Sequence, residues 1–130
     1  MITEDYVSFE TAKLLKEKGF DWECIATYNL VTGTFEVEEI YQDWTTRWEA
    51  YVSAPTLQMA MKWLREVHNL HIEVYRTACG YLYIISKIPT GSDLYDNGDA
   101  YDGDDENSGQ WTTNEKACEA AIKYCLENLV

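Results

Sequence analysis

The sequence predicts an α+β fold: a mostly antiparallel sheet of about five strands with three helices packed on one face, in the order αβββαββα. Three observations lead there. Three segments repeat apolar residues at helical spacing and carry cap residues at their ends. Between them lie short stretches in which apolar and polar residues alternate, punctuated by glycine-bearing turns. The chain has 130 residues, 46% of them apolar and 14% aromatic, which suffices for one core and leaves little room for two ordinary domains. We therefore expect a single domain over residues 1–130.

Taken in order, Ser8 is suited to cap a first helix, along which Phe9, Ala12 and Leu15 form a stripe. Gly19 stands where a helix ends in a left-handed residue, and Lys13, Lys16 and Lys18 crowd the turn where the macrodipole favours cations. Cys24 to Leu30 alternates, Thr32-Gly33 turns the chain, and Thr34 to Tyr41 returns as a second strand with Phe35 and Val37 opposite Glu36 and Glu38. Asp43 to Ser53 carries two patterns: Tyr41, Trp44, Trp48 and Tyr51 have helical spacing, while Trp48, Ala50 and Val52 alternate, and since Ala54 must be extended before Pro55 it is read as a third strand.

Pro55 at the N1 position opens the second helix, and Leu57, Ala60, Met61, Trp63, Leu64 and Val67 share one arc of it. It should end near His68-Asn69. Leu70, Ile72 and Val74 then alternate in a fourth strand, Gly80 marks a turn, and Tyr81 to Ile88 supplies a fifth. Thr112 and Glu115 have capping-box spacing and open the last helix, which turns Ala117, Cys118, Ala121, Tyr124 and Cys125 inward.

Residues 89–112 differ from the rest. Asp93, Asp96, Asp99, Asp102, Asp104, Asp105 and Glu106 occur with no base between Lys87 and Lys116, and Gly91, Gly98, Gly103 and Gly109 are interspersed. Mutual repulsion and few apolar anchors predict a mobile, solvated acidic loop.

The 10 Lys and Arg against 23 Asp and Glu leave a net charge of -13, which excludes the clustered cations that nucleic-acid binding and anionic membranes require. The N-terminus carries no apolar signal core, and no window approaches a membrane span, so a cytoplasmic location is expected. Cys24, Cys79, Cys118 and Cys125 include no C-x-x-C pair and read as reduced core residues.

The segments Ser8 to Phe20, Ser53 to Thr56 running into Lys62 to His68, and Glu115 to Ala121 together resemble a family of small proteins encoded by gut bacteria, their prophages and other mobile elements. The resemblance covers the three helices and implies an accessory role with no assigned activity. At the level of element order, the first αβββα also resembles double-stranded-RNA-binding domains. Those hold phosphate with a basic second-helix N-terminus, whereas Thr56-Leu57-Gln58-Met59 offers no cation there.

Three constellations invite chemistry. Asp102-x-Asp104-x-Glu106 has the alternating carboxylates of a calcium loop, but Asn107 and Thr113 stand where such a loop needs glycine and glutamate. His68, His71 and Cys79 are three zinc-type ligands without a fourth at any recognisable spacing. Tyr41, Trp44, Trp48, Tyr51 and Trp63 gather aromatics around the third strand and second helix, the first four suiting a protein-binding patch. No nucleophile elbow or phosphate loop occurs, and no cofactor is expected.

These observations lead to a non-enzymatic, acidic accessory protein that binds a protein partner. A basic or DNA-binding protein, engaged by mimicry of nucleic acid, fits the charge. The competing expectation is a small ligand-binding domain or enzyme with an aromatic-lined cleft and carboxylates as acid or base. Open sheet edges also leave room for a homodimer.

Overall fold

The computed structural model describes residues 5–43, 50–99 and 102–130. Its elements follow the expected αβββαββα order with one added strand: α1 (Phe9–Glu17), β1 (Cys24–Asn29), β2 (Phe35–Gln42), β3 (Tyr51–Ser53), α2 (Leu57–His68), β4 (Leu70–Arg76), β5 (Tyr81–Lys87), β6 (Asp93–Asp96) and α3 (Asn114–Asn128). The fold class is α+β, and every strand pair is antiparallel. The strands form two sheets of three, in the orders β2-β1-β3 and β4-β5-β6, instead of one sheet of about five. Local pairing explains the division. Each central strand pairs through a short turn with a sequence neighbour, and its second edge is then taken by the next strand to return. Two compact units result, Met1–Ala60 and Met61–Val130, with the boundary inside α2.

In the first unit, the Ser8 hydroxyl accepts the Thr11 N–H at 3.2 Å and caps α1, while Gly19 takes the left-handed φ of 90° that ends it. Thr11, Ala12 and Leu15 are buried, and α1 packs on β3. The β1–β2 hairpin closes through Asn29, whose N–H donates to the Thr34 carbonyl at 2.9 Å and whose side chain accepts from Val31 and Thr32. Tyr6 bridges to Thr56, so the segment before α1 is tied to the start of α2. Pro55 precedes α2 instead of opening it. The cap is Thr56, whose hydroxyl accepts the Met59 N–H at 3.1 Å, a bond that a proline cannot supply. The third strand is short, Tyr51–Ser53, and residues 44–49 of the expected strand lie outside the described residues.

In the second unit, β4 and β5 pair over seven residues, from Leu70 with Lys87 to Arg76 with Tyr81. Helix α3 lies on these two strands and buries Ala117, Cys118, Ala121, Ile122, Cys125 and Leu126. Its cap is Thr113, which accepts the Lys116 N–H, one residue later than the expected Thr112. Thr112 is engaged elsewhere, donating through both its N–H and its hydroxyl to Asp104.

The acidic stretch expected as a mobile loop is built into this unit. Residues 93–96 form β6 beside β5, and Tyr95 stacks on Tyr124 at 3.9 Å between ring centres. Gly103 donates to Gly109, Asp105 donates to the Gln110 carbonyl, and Trp111 exchanges two backbone hydrogen bonds with Tyr81. Gly103 approaches the Gln110 backbone so closely that a Cβ there would lie 2.1 Å from its carbonyl carbon. Aromatic packing and backbone pairing together outweigh the repulsion that the charges alone suggest.

Candidate functional site

The feature that stands apart from ordinary packing is β2. It is an outer strand, and among the described residues β1 is its only paired neighbour. Tyr28 lies opposite Phe35 and Ala26 opposite Val37, after which two steps along β1, Ala26 to Cys24, are met by five along β2, Val37 to Gln42. That bulge ends regular pairing and re-aims the residues within it. Val37 precedes the bulge and Ile40 and Tyr41 lie within it, and the three are 57%, 59% and 60% exposed. Single exposed apolar side chains are ordinary, but three along one outer strand set it apart from the other strands.

An aromatic row supports this strand. Phe9 of α1 lies 5.5 Å from Tyr28, Tyr28 5.2 Å from Phe35, and Phe35 5.1 Å from Tyr6, measured between ring centres. Lys13 sits over Phe9, and the Tyr28 hydroxyl donates to the Val7 carbonyl at 2.7 Å. These contacts hold the Phe35 end of β2 firmly against its unit, so the outer edge is presented on a rigid support.

Beside it opens a cleft of about 220 Å³ lined by Tyr6, Cys24, Ile25, Tyr41, Ala54, Pro55, Thr56 and Met59. This is smaller than the roughly 300–1,000 Å³ of small-molecule sites, and suits one inserted side chain. Burial pushes the Cys24 thiol up to about 12, aided by the charge of Asp43, so the sulfur in the cleft wall is a neutral thiol. Its Sγ lies 3.8 Å from the Met59 Sδ.

The sequence on either side of β2 is acidic. From Gly19 to Met61 the chain contains Asp21, Glu23, Glu36, Glu38, Glu39, Asp43 and Glu49, against Arg47 as its single base. Glu36 is exposed between Phe35 and Val37, so negative and apolar side chains alternate along the same edge strand.

The sequence-derived patch is divided. Tyr41 lies on β2 and Tyr51 on β3, with β1 between them, about 10 Å across the sheet. Trp63 is buried in α2, its ring edge-on to His68 at 4.7 Å. Trp44 and Trp48 lie outside the described residues. Of the four patch residues, Tyr41 therefore keeps the clearest place at the candidate surface. Alternation sets Phe35 and Val37 on one face of β2 but does not tell an outer strand from an inner one, and it gives no place to Ile40, which lies in the bulge.

The acidic residues proposed as a calcium loop do not converge. Asp102 accepts from the side chain of Asn97, while Asp104 accepts from Thr112 and from the Lys116 ammonium at 2.6 Å. Those bonds from Lys116 and Thr112 bring the Asp104 carboxyl down to about 2. The Ser108 hydroxyl and Asn107 N–H likewise lower that of Asp105. The carboxylates thus hold the loop's own donors. Among the described residues, no group of three or more His, Cys, Asp or Glu is placed to hold a metal. His71 is exposed on β4, and Cys79 is exposed in the turn before β5.

Near β6, burial raises the Tyr83 hydroxyl pKa, as do Asp102 and the tyrosines around it. Asn97 is fully buried, and its Oδ1 meets no hydrogen-bond partner among the described residues. This cluster packs β6 against β5 and α3. Comparison with protein-family models, curated proteins and solved structures found no match.

Proposed function

We propose that this protein is a non-enzymatic acidic accessory protein, and that its first unit binds a basic protein partner on the outer strand β2. The observation that carries the reading is the exposure of Val37, Ile40 and Tyr41 on one edge strand, within a stretch whose single base is Arg47. Apolar contact supplies affinity, and the surrounding carboxylates steer a cationic partner and reject acidic ones. A DNA-binding protein is the natural partner class, since its phosphate-binding surface is both basic and accustomed to spaced negative charge.

The competing reading of an enzyme or small-ligand domain draws less support. Among the described residues, the cleft lining holds tyrosines, a methionine and a neutral thiol, and no carboxylate. General acid–base catalysis is best served by a group whose pKa lies near the working pH, and burial holds the Cys24 thiol up at about 12.

The test is affinity capture at low and high salt with the protein and with a Val37→Ser, Ile40→Ser, Tyr41→Ser variant. Basic proteins should be enriched by the unaltered protein at low salt and lost with the variant. Equal capture by both would refute the assignment to β2.

A further inference from the structure

We propose that the partner joins the first sheet as a fourth strand. An extended segment alternating Lys or Arg with apolar residues pairs with the outer edge of β2 along Phe35–Val37. This rests on the reading of β2 as the binding surface and goes further by fixing the mode and the partner's sequence class.

The hydrogen-bond register points to it. Asn29 donates to Thr34, which makes that pair a hydrogen-bonded one. Alternation along an antiparallel ladder then makes Thr27 with Glu36 hydrogen-bonded, and Tyr28 with Phe35 and Ala26 with Val37 not. The backbone N–H and C=O groups of Phe35 and Val37 therefore point away from β1, toward the open edge. These four groups are a template for main-chain pairing.

The usual guards of such an edge are lysine, proline and a bulge. Residues 34–42 contain neither lysine nor proline. The bulge is present, but it begins after Val37 and leaves Phe35–Val37 regular. What guards this edge is negative charge, which discriminates between occupants. A second copy would bring Glu36 and Glu38 against their own kind, whereas a basic strand would pair with them. The apolar side chains of Phe35 and Val37 share one face and would meet the alternate residues of the incoming segment. Because the bulge ends the ladder after Val37, pairing is short, and Ile40 and Tyr41 beyond it extend the contact through side chains.

The experiment titrates the full chain with a synthetic peptide of sequence Lys-Val-Arg-Val-Lys-Val-Arg. A second peptide has the same sequence with alternate amides N-methylated, which keeps charge and side chains but removes one edge of backbone donors. The expected result is salt-sensitive binding of the first peptide, weakening of about tenfold or more for the second, and slowed exchange of the Phe35 and Val37 amides in the complex. Val37→Pro, which removes an outward N–H and leaves the β1 ladder its bonds, should weaken binding similarly. Equal binding of both peptides would overturn strand addition while leaving the acidic binding surface standing. No binding of either peptide at low salt would overturn both. Sedimentation as a dimer with the same two amides already protected would give the edge to a second copy and overturn the proposal.

Discussion

The four cysteines offer a sharp test because the structure separates them. Cys24, Cys118 and Cys125 are buried, whereas Cys79 is exposed in the turn between β4 and β5. The attacking species in thiol labelling is the thiolate. Burial pushes Cys24 and Cys125 from 9.0 up to about 12. Three units at tenfold each reduce their thiolate share at pH 8 roughly a thousandfold, before any steric exclusion of the reagent is counted. Labelling of the native protein with Ellman's reagent should therefore release one fast equivalent of chromophore. The remaining three should follow only as the chain opens, and all four should react promptly in urea. Replacing Cys79 by Ser should abolish the fast phase alone. Two or more fast equivalents in the native protein, or a fast phase surviving in Cys79→Ser, would refute this reasoning. The same shift has a consequence for stability. The folded state keeps these thiols neutral where the unfolded chain ionises them, so their contribution is complete below about pH 9 and declines as pH rises toward 12.

Three further outcomes are expected. Ile122→Ala, which hollows the fully buried face of α3 over β4 and β5, should cost about 2–5 kcal/mol in urea unfolding. Thr113→Ala, which removes the hydroxyl that caps α3, should cost about 1 kcal/mol by the same measurement, while Thr112→Ala leaves that cap in place. Asp104→Asn should flatten the acid end of the melting-temperature profile. The Asp104 carboxyl lies at about 2 when folded against 3.8 unperturbed, so its stabilisation is present above pH 3.8 and lost as pH falls toward 2. A variant whose melting temperature falls as steeply as the parent's in that window would show that the pairing with Lys116 contributes nothing.

The fold was legible wherever local chemistry decides it. Ser8, Gly19 and the stripes of all three helices mark their elements in the sequence, and the β4–β5 hairpin follows from alternation around Gly80. What alternation cannot show is which strands share an edge. The division into two sheets depends on β3 and β6, the two shortest strands, and β6 begins and ends in aspartate, a residue that strands avoid. It is held by Tyr95 packing on Tyr124 and Tyr83, contacts made far along the chain. The pairing within the acidic stretch is hidden in the sequence for a related reason. Counting charges treats every carboxylate as unpaired, while Asp105 is occupied by Ser108 of the loop and Asp104 by Thr112 and by Lys116 of α3.

The two acidic regions consequently differ in kind, although the sequence presents both as runs of carboxylates. In the second unit, Asp102, Asp104 and Asp105 are turned to internal use, holding Asn97, Lys116 and Ser108 and so fixing the chain that leads into α3. In the first unit, Glu36 and Glu38 flank Val37 on an outer strand, and the bulge that follows turns Ile40 and Tyr41 to solvent. Carboxylates that satisfy local donors serve stability, because their bonds are made on folding. Carboxylates that border exposed apolar side chains on an open edge add nothing to the unit's own packing and cost repulsion. Their arrangement would become favourable with a cationic strand beside them, which is why the proposed binding is placed on β2 and not on the stretch where acids are most numerous.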